Sequence, residues 1–82
     1  MPTVLEEGGF AIRIYLPPRE HWPPHVHVIG KGGEVVIRLG DGHEPPRVRE
    51  IYRMKDRDVV RAFRRVEVHH AELVAAWRSH HD

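Results

Sequence analysis

From Phe10 to Leu16 the chain alternates: Phe10, Ile12, Ile14 and Leu16 fall on one side, Ala11, Arg13 and Tyr15 on the other. A period of two is the pattern of a half-buried strand. Val4 and Leu5 lie upstream, before Gly8-Gly9, and that glycine pair predicts a tight hairpin turn into the Phe10 run. Pro17-Pro18 and Pro23-Pro24 come next. Proline cannot donate to a sheet ladder, so Pro17 to Pro24 reads as a stiff, extended loop. A new strand is predicted from His25 through Ile29, followed by a turn at Gly30-Lys31-Gly32-Gly33 and a returning strand from Glu34 to Leu39. Gly40-Asp41-Gly42 ends it. After Pro45-Pro46, Arg47 to Met54 reads as one more strand.

From residue 56 the period changes. Val59, Phe63, Val66, His70, Leu73, Val74 and Trp77 follow helical spacing and form one apolar stripe. Asp56 is the expected N-cap. Val66-Glu67-Val68-His69 alone also reads as a strand, but the length and period of the whole segment favour a helix of about 36 Å at 1.5 Å per residue. The expectation is a single α+β domain over residues 1–82. It comprises a small antiparallel sheet of three to five strands within about residues 3–54, and one long C-terminal helix over about 56–79 packed on one face.

The 82 residues fit one domain. A chain of this size buries only about 60% of its unfolded surface, so dimerisation, a metal or a partner protein would add to its stability. There is no cysteine, which removes disulfides and thiolate metal sites and suits a reducing cytoplasm. The opening residues have neither a basic nor an apolar signal-peptide region, and no apolar run reaches membrane-spanning length. A cytoplasmic protein that does not enter membranes is therefore expected. Net charge is +1, so nucleic-acid binding would require a local basic patch. The unusual number is eight histidines, because histidine both titrates near neutral pH and is the commonest metal ligand.

Glu20-His21-Trp22-Pro23-Pro24-His25-Val26-His27-Val28 concentrates that chemistry. Residues i and i+2 of a strand share a face, so His25 and His27 stand side by side, about 6.6 Å apart along the strand. Val26 and Val28 then face the core and the imidazoles the more exposed side, with His21 arriving from the loop. Such a group supports two kinds of chemistry. One imidazole neutral and one protonated can act as base and acid on a phosphodiester, with Lys31 or Arg13 stabilising the charge that develops. Alternatively, His25 and His27 can share a Zn²⁺, Ni²⁺ or Cu²⁺ ion, with His21, His43 or Glu20 as a third ligand. A solvated histidine pair behind a rigid proline loop is the plain alternative to both.

Other features also have two readings. Arg57, Arg61 and Arg64, with Lys55 and Arg65 near them, lie opposite the apolar stripe. Cations in the first turns oppose the helix dipole. They are either a solvated face balanced by Asp58 and Glu67 or a surface for nucleic acid or an acidic partner. His70, inside the stripe, reads as a core histidine hydrogen-bonded to backbone or tyrosine, or as support for the histidine site. Val68, Ala71 and Ala75 lie off the stripe, as scattered exposed residues or a second seam for a partner. Trp77 completes the stripe. Trp22, beside the histidines, either stacks on a base or covers the sheet edge.

The chain resembles a family of short bacterial proteins of unknown function. The resemblance is carried by Met1-Pro2-Thr3-Val4, Gly9-Phe10, Glu20-His21-x-Pro23-Pro24-His25-Val26-His27-Val28, the glycine-rich hairpin with Glu34, and Trp77. It covers most of the chain; Pro23 to Val28 is its most specific part, and Arg47 to Met54 matches least well. It implies no established activity. It implies membership of a two-gene cassette of toxin–antitoxin style, beside another short protein. His21, His25 and His27 match positions typical of the family; His43, His69, His70, His80 and His81 do not.

The leading expectation is a toxin–antitoxin-type component acting on RNA as a ribonuclease that uses no metal or other cofactor. His25 and His27 are its acid and base, His21 assists, and Lys31, Trp22 and Arg13 bind substrate. The alternative is a domain in which His21, His25 and His27 hold Zn, Ni or Cu. A third is a non-catalytic module for protein interaction. Expected partners are a cognate small protein encoded nearby, RNA, and a second copy in a homodimer.

Overall fold

A computed structural model describes residues 3–15, 23–40 and 43–81. It contains β1 (Thr3–Glu7), β2 (Phe10–Arg13), β3 (His25–Gly30), β4 (Gly33–Arg38), β5 (Arg47–Tyr52), α1 (Asp56–Val68) and α2 (His70–His81). The five strands form one antiparallel sheet in sequence order, so the α+β class expected from the pattern is the one observed. Leu16, Glu20, His21 and Trp22 lie outside the described residues, as does most of the proline-rich loop.

Two tight turns set the register. Gly8 and Gly9 have φ of 61° and 85°, and Lys31 and Gly32 have φ of 55° and 77°. Positive φ at both central residues matches the right-handed twist of the flanking strands. The second turn pairs Gly30 with Gly33, which places Val28 opposite Val35, His27 opposite Val36, Val26 opposite Ile37 and His25 opposite Arg38. Ile12 pairs with Val28 and Arg13 with His27 on the other side of β3.

This register sorts the sheet into two faces. Phe10, Ile12, Ile14, Val26, Val28, Val35 and Ile37 form the core with Val59, Ala62 and Val66 of α1 and Leu73, Val74 and Trp77 of α2. Full burial of each large aliphatic side chain contributes about 1.5–3 kcal/mol. The stripe residues read from the sequence therefore do face the sheet. Arg13, His25, His27, Glu34, Val36 and Arg38 belong to the opposite face. Beyond β4 the core thins, and Val48 and Ile51 of β5 are exposed.

The helical segment differs from the expectation in two respects. It is two helices, with His69 between them at φ −105°, ψ 19°. Valine and histidine are poor helix formers, so the interruption costs little there. The His69 N–H still reaches the Arg65 carbonyl, and the His69 carbonyl accepts from Leu73 N–H. The N-cap is Lys55, which makes no side-chain capping bond, and Asp56 is the first helical residue. Among the described residues, no helix is long and apolar enough to cross a membrane.

Candidate functional site

His25 and His27 share one face of β3, the one opposite Val26 and Val28, as the strand period requires, with ring centroids 5.4 Å apart. Their exposure differs from expectation. His25 is only 3% exposed, while the His27 side chain is 14% exposed. His25 begins its strand at the sheet end, where its ring also comes within 6.5 Å of Trp77. His27 is the imidazole nearer solvent.

Both rings are held through Nδ1. His25 Nδ1 donates to the Pro23 carbonyl at 2.8 Å. A carbonyl only accepts, so the neutral His25 ring has its proton on Nδ1 and its lone pair on Nε2. His27 Nδ1 donates to Glu34 Oε2 at 2.6 Å, a short charge-assisted contact that fixes the same tautomer. Tyr15 packs edge-on against His27, with centroids 4.5 Å apart. Hydrogen bond and ring contact together lock the His27 side chain.

Two guanidinium groups flank the pair. Arg13 is the cross-strand partner of His27, and its buried Nε has no hydrogen-bond partner among the described residues. Arg38 is the cross-strand partner of His25. Of the substrate-binding candidates read from the sequence, Arg13 therefore joins the histidines. Lys31 does not, because it occupies the turn four residues beyond His27, about 13 Å along the strand at 3.3 Å per residue. His21 and Trp22 lie outside the described residues.

Sequence reasoning missed Glu34, Arg38 and Tyr15 as members of this face. The signal for the first two was the two-residue turn. Once Lys31-Gly32 is taken as its centre, the register places Arg38 opposite His25, and Glu34 one diagonal step from His27. Among the described residues no group of three or more histidine, cysteine, aspartate or glutamate side chains is placed to hold a metal ion.

A model of the domain of unknown function DUF4160 matches residues 9–78. The chain belongs to the DUF4160 family. The resemblance to a short domain family without an assigned function thus holds, and the matched stretch of this DUF4160 chain takes in the whole histidine face. No curated protein and no solved structure matches the chain.

Two further histidines of this DUF4160 domain serve the fold. His70 Nε2 donates to the Leu39 carbonyl at 2.5 Å, tying α2 to the end of β4. This is the backbone-satisfied histidine that its place in the stripe suggested. His69 bridges two carboxylates, Nε2 to Glu7 Oε2 at 3.1 Å and Nδ1 to Glu72 Oε1 at 2.9 Å. Arg65 also bonds Glu7, at 2.7 Å. The bond to Glu72, then that to Glu7, pushes the His69 pKa up. The His69 bond and the charges of His69 and Arg65 hold the Glu7 carboxyl below its ordinary range.

Proposed function

We propose that this protein cleaves RNA by proton transfer at His27, without a metal, as one member of a two-protein module of toxin–antitoxin type. The observation that carries the reading is the 2.6 Å contact of His27 Nδ1 with the Glu34 carboxylate. A carboxylate on one ring nitrogen orients the imidazole and accompanies the charge that arises when the other nitrogen takes a proton.

In this reading His27 Nε2 takes the proton of a ribose 2′-hydroxyl. The 2′-oxygen bonds to the adjacent phosphorus, the bond from phosphorus to the 5′-oxygen breaks, and His27 returns the proton to that departing oxygen. The products are a 2′,3′-cyclic phosphate and a 5′-hydroxyl, and nothing else is consumed. Arg13 and Arg38 supply positive charge for the phosphoryl oxygens. His25, nearly covered, acts as a positioning residue through its ring contact with His27, a role narrower than that of an equal acid–base partner. His21 and Trp22, which precede Pro23 in the sequence, assist proton transfer and stack on a base. The two-protein context is supported by the family resemblance of the His21 to Val28 motif. The test is RNA cleavage in EDTA, where wild type is expected to act and His27→Ala to lose about 10²-fold or more. Absence of cleavage by wild type under any condition overturns the reading.

A second reading is favoured by the same Nδ1 anchors. Metal-ligating histidines characteristically donate their other ring N–H to a carboxylate or carbonyl, and in this reading His25 and His27, with His21, hold Zn²⁺, Ni²⁺ or Cu²⁺. Untagged protein free of metal and showing no thermal shift with any of the three would eliminate it.

A further inference from the structure

A second charged feature lies at the turn end of the sheet, away from the histidines. Lys31, Arg53, Lys55, Arg57 and Arg61 line one concavity, with Asp58 as the only carboxylate in its lining. Asp58 is buried, and its oxygen lies 3.8 Å from Arg61. The cations come from three separate stretches: the β3–β4 turn, the link after β5, and α1 with its cap. A chain of net charge +1 thus gathers five of its 13 basic residues around one depression.

Three of those cations stand where another residue type suits the backbone better. Lys31 and Arg53 have φ of 55° and 52° and are the non-glycine residues of positive φ among those described. Asparagine or glycine is the usual occupant of that conformation. Lys55 is the N-cap of α1 without a side-chain cap bond, a position at which serine, threonine, aspartate or asparagine is preferred. The local fold does not call for a cation at any of the three.

We propose that Lys31, Arg53, Lys55, Arg57 and Arg61 form a binding surface for the phosphate backbone of nucleic acid. The lining contains no apolar side chain, whereas protein interfaces place aromatic and apolar groups at their centre. Backbone phosphates need charge and fork-shaped donors, which three arginines and two lysines provide. The surface stands independently of the cleavage reading, since it shares no residue with the histidine face.

The test is the binding of a fluorescein-labelled single-stranded RNA oligonucleotide, read by anisotropy across a salt series. Wild type and the Lys31→Asn/Arg53→Asn/Lys55→Ser variant are compared, each in a His27→Ala background that keeps the RNA whole. Loss of cleavage there bears on the histidines alone. The triple variant is expected to match or exceed its parent in Tm, since asparagine tolerates positive φ and serine caps a helix. Its affinity is expected to fall about tenfold or more, and the slope of log K against log salt to shrink by about 2, at 0.7 per lost phosphate contact. Arg57→Gln, on the exposed helix face, repeats the binding test without altering a turn. Unchanged affinity and slope overturn the proposal, as does a fall in Tm that accounts for the lost binding. Tighter binding of poly-glutamate than of RNA, lost equally in the variants, overturns it in favour of an acidic protein partner.

Discussion

Glu34 reaches His27 on a diagonal across the β3–β4 ladder. Its direct cross-strand partner is Ile29, yet its Oε2 lies 2.6 Å from His27 Nδ1. The contact depends on the two-residue turn at Lys31-Gly32, because a slip of one residue would send Glu34 to the core face. Glu34→Gln keeps the side chain's size and an accepting oxygen but removes the charge. RNA cleavage is expected to fall about 10²-fold, as for loss of a group that orients a catalytic histidine. Stability is expected to change by no more than about 1 kcal/mol, because the pair is only partly buried. A Glu34→Gln protein with full activity would remove the carboxylate from the mechanism.

The Glu7–His69–Glu72 bridge predicts a pH dependence of stability. His69 has a raised pKa, so its contribution is complete below its ordinary value of 6.5 and is lost as pH rises through the raised one. Glu7 has a lowered pKa, so its contribution is complete above its ordinary value of 4.5 and is lost as pH falls through the lowered one. Between 4.5 and 6.5 both partners are charged. Thermal melts of wild type and His69→Ala should therefore differ most inside that window and converge as the solution becomes alkaline. A gap that widens toward alkaline pH contradicts the bridge.

Gly33 begins β4 where the backbone of the next strand's end passes close. A Cβ there would meet the Arg53 carbonyl oxygen at 2.3 Å and the Tyr52 carbonyl oxygen at 2.6 Å. Both are backbone atoms and cannot swing aside. Gly33→Ala is expected to destabilise the protein by more than about 2 kcal/mol in urea melts, among the larger single-residue effects. Gly32→Ala meets no neighbour within 4 Å. Its cost is that of positive φ alone, about 1 kcal/mol. Equal effects of the two would mean that the strands separate locally at this corner.

Much of this architecture was legible because one rule governed each part of it. Period two put Val26 and Val28 in the core, and period 3.6 put Val59, Val66, Leu73 and Trp77 against them. The break at His69 was not legible, because the apolar stripe runs on across it from Val66 to His70 and Leu73, and the Glu7 contact that His69 makes comes from the far end of the chain. The histidine pair was found by spacing. Its partners were not, because cross-strand neighbours follow from register, and the run Gly30-Lys31-Gly32-Gly33 does not by itself say which two residues are central. The burial of His25 follows from its place at the sheet end near Trp77, a tertiary contact that strand alternation does not contain. Lys31 is near the histidines in sequence but not in space, because a strand carries the chain steadily away.

The central claim is that His27 moves the proton in RNA cleavage, and end-group analysis of the cleaved RNA tests it most directly. RNA incubated with wild-type protein in EDTA should carry 2′,3′-cyclic phosphate and 5′-hydroxyl ends. An RNA with 2′-deoxyribose at the cut site should stay whole, and His27→Ala should give neither product. Cleavage that leaves 5′-phosphate ends, persists on the deoxy-substituted RNA, or continues undiminished in His27→Ala would contradict the account.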